Sequence, residues 1–284
     1  MTVGLFIMLF ATAVAANALG SALGMAGGIF IVPILVAAAH AALPVAIAVS
    51  LVSVVACSSA SAPRFLHAGI TDLRLAVVLE VATASGAFAG VLVVGQVPAA
   101  VLFALFSAVL GVSAVQIVAG RRRDHQVRLP ATDWDVRLRL GSVPSSGGDE
   151  PIGYRVHRVP LGLALMFGAG MLSTLLGIGS GVLKIPAMDT ALRVPLKVSS
   201  ATANLMIGVT AAGGAAAYLL RGEVSPGLAA PIVLGSVAGS LLGAPALTRM
   251  PSGWLRVIFA TVLTGLTVLT AVGAAGAGPF GVPR

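Results

Sequence analysis

The sequence predicts an all-α polytopic membrane protein made of two related halves, and three features carry that prediction. The first is composition: 58% of the 284 residues are hydrophobic and only 9% are charged, with a mean hydropathy of +1.05, well outside the soluble globular range. The second is segmentation into apolar runs of about one bilayer length, on the order of 20 residues, joined by short connections marked with Pro or Gly. The third is an internal repeat. Adding 153 to a first-half position carries Gly24 to Gly177, Gly28 to Gly181 and Pro33 to Pro186, and likewise Ala48 to Ala201, Gly69 to Gly222, Gly86 to Gly239, Gly90 to Gly243 and Pro98 to Pro251. One offset holding from Gly24 to Pro98 argues for a duplicated unit rather than coincidence.

Taken in order, residues 1–120 form the first transmembrane repeat, 121–158 a basic linker and 159–284 the second repeat. No Lys or Arg precedes Arg64, so the positive start of a signal peptide is missing and Val3 onward reads as a retained helix. Val3 to Ala39 is one apolar tract of 37 residues, too long for a single crossing, and the glycines at 24 to 28 break it into a long helix and a short one. Pro44 to Leu66, Leu73 to Gly95 and Pro98 to Gly120 follow, each about one bilayer long by the helical rise of ~1.5 Å per residue. The linker holds 13 of the 26 charged residues, eight of them Arg, together with Pro130, Pro144, Pro151 and a Ser145-Ser146-Gly147-Gly148 run. It reads as mostly irregular, with a short amphipathic helix around Asp133 to Leu140 anchored by Trp134. The second half then repeats the scheme: Val159 to Met188 broken at Gly177 to Pro186, Leu196 to Leu220, Pro226 to Leu247 and Trp254 to Gly276, about four hydrophobic segments per half.

The charge pattern sets an expected orientation. Excess Arg in the linker places it in the cytoplasm under the positive-inside rule, near anionic headgroups; no recognition motif accompanies the net charge of +8, so nucleic acid is not the expected partner. If the broken segment of each half enters and leaves on one side, the halves become an inverted repeat, and Arg193, Lys197, Arg249 and Arg256 join Arg64, Arg74 and the linker inside. The expected location is the cell membrane, crossed several times.

The most expensive stretch to bury is Gly177-Ile178-Gly179-Ser180-Gly181-Val182-Leu183-Lys184-Ile185-Pro186, echoed by Gly24-Met25-Ala26-Gly27-Gly28-Ile29-Phe30-Ile31-Val32-Pro33. In lipid, non-helical backbone survives only where protein or a water-filled cavity surrounds it. Pro186 has no N–H, so a helix running through it leaves the Val182 carbonyl unpaired. The expectation is a broken helix in each half, with Pro33, Gly177 and Pro186 as its structural breakers and bare amides near Gly179 to Lys184. Such amides, with the partial positive charge of a helix N-terminus, suit an anion. Lys184 adds a full charge, whereas its counterpart at position 31 is Ile. The substrate-binding candidates are Gly24, Gly27, Gly28, Gly179, Ser180, Gly181 and Lys184, joined by Ser50, Ser53, Thr202 and Asn204 as hydrogen-bond donors. An ordinary alternative for each Ser, Thr or Asn is interhelical bonding, and for Lys184 snorkelling to the interface.

Glu80 is a candidate proton site if buried, although an interface position beside an Arg is the more ordinary place for it. His40, His67, His125 and His157 show no metal-ligand spacing, and the single Cys57 excludes an intrachain disulfide and reads as packing. No nucleophile–base pair, soluble-type phosphate loop or carboxylate cluster stands out, so neither enzyme, metal nor cofactor is expected; an intramembrane enzyme would need paired Asp, His or Glu at depth, and only Glu80 approaches that. The small-residue faces Gly86/Gly90 and Gly239/Gly243 suit close packing either within one protomer or between two of a homo-oligomer.

At these residues the chain resembles the TauE/SafE family of membrane permeases. The resemblance rests on the two broken-helix stretches above and on Ala201-Thr-Ala-Asn-Leu-Met-Ile-Gly-Val-Thr-Ala211; it covers both hydrophobic halves but not the linker. The family's glycine run is here Gly179-Ser180-Gly181 and Ala26-Gly27-Gly28, and a position commonly Ser in the family is Ala203. The resemblance implies secondary transport, often outward, of sulfite or an organosulfonate. By the residues alone, a proton or the membrane potential could drive such transport by alternating access, and a channel or a permease for another small anion such as a carboxylate remains open.

Overall fold

A computed structural model describes residues 3–93, 142–143, 152–154, 156–177 and 179–251, with isolated positions at 96, 101, 108, 111 and between 253 and 265. The described helices are α1 (Val3–Leu23), α2 (Gly28–Ala38), α3 (Leu43–His67), α4 (Leu73–Val93), α5 (Val159–Leu176), α6 (Gly181–Thr190), α7 (Leu196–Leu220) and α8 (Pro226–Arg249). Six of them are long and apolar enough to cross a membrane. At 11 and 10 residues, α2 and α6 reach only about 16 Å by the helical rise, half of a hydrocarbon core of about 30 Å. The expected segments Pro98 to Gly120 and Trp254 to Gly276 lie almost wholly outside the described residues, as does the helix expected at Asp133 to Leu140. Within the linker, Ser142–Val143 (β1) pairs antiparallel with Ile152–Gly153 (β2).

Element boundaries follow the repeat. Shifted by 153, α3 becomes residues 196–220, the span of α7, and α2 starts at 181, the first residue of α6. Packing follows it too: α1 lies against α8 as α5 lies against α4, α3 against α8 as α7 against α4, and α3 against α7. The halves are therefore interlocked rather than side by side.

Small residues make this possible, because lipid supplies no hydrophobic drive between helices and close backbone approach must replace it. A methyl at Gly86 would collide with the Phe167 carbonyl and one at Gly239 with that of Val14; Gly90 and Gly243 meet Met171 and Ala18 in the same way. Val14 and Ala18 are the counterparts of Phe167 and Met171 at the offset of 153. The glycine faces thus pack inside one chain, between the halves.

The linker's last residues belong to the core. Tyr154 and Val156 are buried, as is Val159 where α5 begins, the Tyr154 hydroxyl donates to Asp72 Oδ2 (2.5 Å), and the His157 amide donates to the Leu192 carbonyl (3.2 Å). Asp72 also caps α4 by accepting from the Leu75 amide (2.9 Å). The polar segment is anchored at this end because its tyrosine and valine have apolar surface to bury.

Candidate functional site

The breaks form where the backbone leaves the right-handed region. Gly24 and Ala26 in the first break, and Gly177 and Gly179 in the second, have φ of +75°, +55°, +66° and +73°, again equivalent positions. Gly177 ends α5 in the left-handed conformation and its amide bonds the Ser173 carbonyl (2.9 Å). Both breaks are shorter than expected from the prolines. Pro33 and Pro186 are each the sixth residue of a continuing helix, where the ring removes a ladder bond without ending so short an element. The non-helical chain runs from Gly24 to Gly27 and includes Gly177, Gly179 and Ser180, and the amides of Leu183 and Lys184 are bonded to the Ser180 carbonyl (3.1 and 2.8 Å) rather than bare.

The two breaks meet. A methyl at Gly181 would strike Met25, and one at Gly24 would strike Ser200 while its counterpart Gly177 faces Ile47. The Ser50 hydroxyl lies between them, 3.1 Å from the Gly28 carbonyl and 2.6 Å from that of Gly177. Ser50 therefore ties one break to the other through carbonyls.

Around this junction the polar residues divide into separate groups. Asn17, a lone amide on apolar α1, accepts from the Gly27 amide (3.0 Å) and donates to Ala13 O (3.0 Å) and Ser236 Oγ (2.9 Å); Ser236 in turn bonds Ser53 (2.6 Å). The Gly27 amide is thus taken, contrary to the expectation that it is open to an anion, because Asn17 reaches it first. The Asn204 side chain donates to Ser61 Oγ (2.9 Å), and its backbone carbonyl accepts from Ser58 Oγ (2.5 Å). Thr202 accepts from the Asp72 amide (3.0 Å) at the α3–α4 turn.

Lys184 is fully buried. It points neither to headgroups nor to open solvent: Nζ donates to Glu80 Oε2 (2.9 Å) and Thr210 Oγ1 (2.8 Å). Thr210 Oγ1 lies 2.5 Å from Glu80 Oε1 and 3.0 Å from the Met206 carbonyl. The partner of Glu80 is thus a lysine from the other half, not an interfacial arginine; helix α4 is held against α5 by its glycines and also packs on α7, which brings position 80 to the bundle interior. An ammonium carries three hydrogens, and two are engaged among the described residues. Four residues back on the same face, the Ser180 hydroxyl is 1% exposed with no partner among the described residues. Ser180 caps α6 without a side-chain bond to it, and the first amides of a helix have no intrahelical acceptor.

This geometry brings Lys184, Glu80 and Thr210 together, with Ser180 and Gly181 one turn before Lys184 at the start of α6, and separates Thr202 from them. Thr202 is eight residues before Thr210 on α7, about 12 Å along the axis, so one small anion cannot touch both it and the Lys184 ammonium. Thr210, Asn17, Ser236 and Asp72 are polar residues that the motif reading passes over. Asn17 was discoverable by its isolation in an apolar run; Thr210 carries no such signal, since nothing in sequence shows which face meets Lys184.

The charged group has no charged twin at the places the repeat makes equivalent. Its counterparts at the offset of 153 are Ile31 for Lys184, Val233 for Glu80 and Cys57 for Thr210, of which Ile31 and Cys57 are fully or almost fully buried. The duplicated fold thus holds a polar cluster on one side and an apolar one at the equivalent place.

Residues 9–283 match the protein family described as "Sulfite exporter TauE/SafE". The chain is 25% identical over 270 residues to the "Probable membrane transporter protein YunE" of Bacillus subtilis (strain 168), covering 91% of this chain and 94% of that one. It is also 25% identical over 249 residues to the "Probable membrane transporter protein YdhB" of the same organism, with 87% and 93% covered. No solved structure matches the chain.

Proposed function

The chain belongs to the TauE/SafE family of sulfite exporters, and from that premise we propose that it moves a small oxyanion, sulfite or an organosulfonate, by alternating access at the meeting point of the two breaks. It is a multi-pass membrane transporter and not an enzyme. The observation that carries the substrate class is the buried Lys184 at the first turn of α6, with one ammonium hydrogen unengaged among the described residues, and the buried, unpartnered Ser180 hydroxyl four residues before it. A full positive charge and helix-terminal amides favour a compact anion, and an ionisable group at this depth marks a substrate path by default.

Lys184, Ser180 and the first amides of α6, Gly181 and Val182, contact the anion; Ser50, Gly24, Gly177 and Asn17 hold the breaks in place. Burial of Lys184, Ser180 and Thr210 favours a carrier over a standing pore, because the anion reaches Lys184 only when the halves shift. The interlocked packing about the offset of 153 supports two inverted halves rocking against each other, in a plasma membrane with the linker on the cytoplasmic side.

Thermal stabilisation of the purified protein by sulfite, sulfate, thiosulfate, taurine, sulfoacetate and carboxylates tests the substrate class, since a true ligand stabilises in proportion to the logarithm of its concentration. Sulfite or a sulfonate should stabilise, and reconstituted Lys184→Gln protein should lose flux. Native flux from that variant, or stabilisation by carboxylates alone, overturns the reading.

A further inference from the structure

From the charge balance of the buried cluster, and resting on the anion site proposed above, we infer that Glu80 is the proton-coupling residue: it takes up one proton when an anion joins Lys184, so anion and proton travel together. As it stands the cluster is neutral, one ammonium against one carboxylate 2.9 Å away. An arriving monoanion would leave a net negative charge beside the fully buried Lys184 and the largely buried Glu80, and an unbalanced buried charge is among the most costly arrangements a protein interior can hold. A proton on Glu80 removes that imbalance.

The geometry accommodates the exchange without rearranging the cluster. Glu80 has partners at both oxygens, Lys184 at Oε2 and Thr210 at Oε1. Once protonated, the carboxyl becomes a donor and can give its hydrogen to Thr210 Oγ1, whose own hydrogen turns to the Met206 carbonyl 3.0 Å away. Lys184 then releases Oε2 and has two hydrogens for the anion. Thr210 is the adapter that keeps Glu80 bonded in both states. The Glu80 side chain is 13% exposed while that of Lys184 is 0%, so the carboxylate is the member of the pair that a proton can reach.

Among the described residues no other group in the neighbourhood offers the same role. Helix α4 carries Arg74 and, just before it, Asp72, which is engaged by Tyr154 and the Leu75 amide. Helix α5 carries no titratable side chain; α7 carries Lys197 in its first turn and Tyr218, which bonds the Thr174 carbonyl, near its end; α6 adds Asp189. The charged group bonded to Glu80 is Lys184. At the equivalent positions 31, 233 and 57 the chain has Ile, Val and Cys, so one proton per transport cycle is the expected stoichiometry.

The test uses methanesulfonate, a monoanion that neither gains nor loses a proton near neutrality, so any proton taken up belongs to the protein. In the full-length protein in detergent, its apparent Kd from thermal stabilisation should rise with pH by up to about tenfold per unit, the slope for one linked proton. Weakly buffered protein should take up one proton per anion bound. Glu80→Gln keeps an acceptor for Lys184 and should bind with a Kd flat in pH and no proton uptake; Glu80→Asp, which keeps a titratable group, should retain both signals and guards against a folding defect in the first variant. A slope that persists in Glu80→Gln assigns the proton to another group, Lys184 first, and overturns the coupling. Binding without uptake in the unsubstituted protein also overturns it while leaving the anion site standing. If methanesulfonate, sulfite and sulfate all fail to stabilise the unsubstituted protein at any pH, the anion site falls and the coupling with it.

Discussion

The ion pair between Lys184 and Glu80 makes a quantitative prediction about stability that can be separated from transport. Lys184→Met removes the ammonium and leaves a carboxylate that keeps its contact with Thr210 and is 13% exposed. Glu80→Leu strands an ammonium that is 0% exposed, with Thr210 as its remaining partner among the described residues. Removing one member of a buried pair costs about 3–5 kcal/mol, whereas replacing both with apolar groups of similar volume is near neutral. Glu80→Leu should therefore fall at the upper end of that range, Lys184→Met at the lower, and the double variant close to the unsubstituted protein. With about 2–4 °C of midpoint per kcal/mol for a chain of this size, the worse single variant should melt on the order of 10 °C early. The chain supplies its own reporter: Cys57 is its one cysteine and is fully buried, so a maleimide dye that fluoresces on reaction reads unfolding directly. A double-mutant cycle with no coupling, both single variants melting with the unsubstituted protein and the double variant simply additive, would refute the reasoning that these charges meet in a dry interior.

Further predictions concern packing and the breaks. Gly86→Ala and Gly239→Ala should each destabilise by about 1–3 kcal/mol, the usual cost of overpacking, because the methyl meets a backbone carbonyl; Gly168→Ala, with open space around it, should be neutral or stabilising by the same dye assay. Gly179→Ala should cost about 1–2 kcal/mol, the left-handed penalty that Ala26 already bears at the equivalent place, and Gly177→Ala clearly more, since its methyl also strikes Ile47. Asn17→Ala should cost about 1–3 kcal/mol through the stranded Gly27 amide, seen as an earlier melt and faster exchange of that amide.

The sequence carries the architecture better than it carries the site. Length and apolar runs place α3 and α7 to within a residue or two, because a lipid-spanning helix has a length fixed by its surroundings and ends that Pro and Gly mark. The offset of 153 also survives into the structure, down to the paired collisions at Gly86 and Gly239. What misleads is proline: Pro33 and Pro186 look like the ends of helices, yet the change of direction is made two turns earlier by left-handed residues, whose φ a sequence does not display except through glycine. Polar partners are the least legible. Ser50, Ser53, Thr202 and Asn204 all stand out as hydroxyls and amides at depth, but whether such a group meets a neighbour's backbone or a substrate depends on helix rotation. Here Ser50 and Ser53 bond protein atoms, and Thr202 serves the α3–α4 turn. Glu80 and Lys184 are 104 positions apart, and only the interlocking of the halves brings them together.

The most direct test of the account is to find a bound anion. The protein should be crystallised with 2-bromoethanesulfonate, whose bromine scatters anomalously and whose sulfonate oxygens can be placed from it. The account predicts a sulfonate within hydrogen-bond distance, about 3 Å, of Lys184 Nζ and the Ser180 hydroxyl at the start of α6. A well-occupied site elsewhere in the bundle, with Lys184 still bonded to Glu80 and Thr210 and untouched by the ligand, would contradict it.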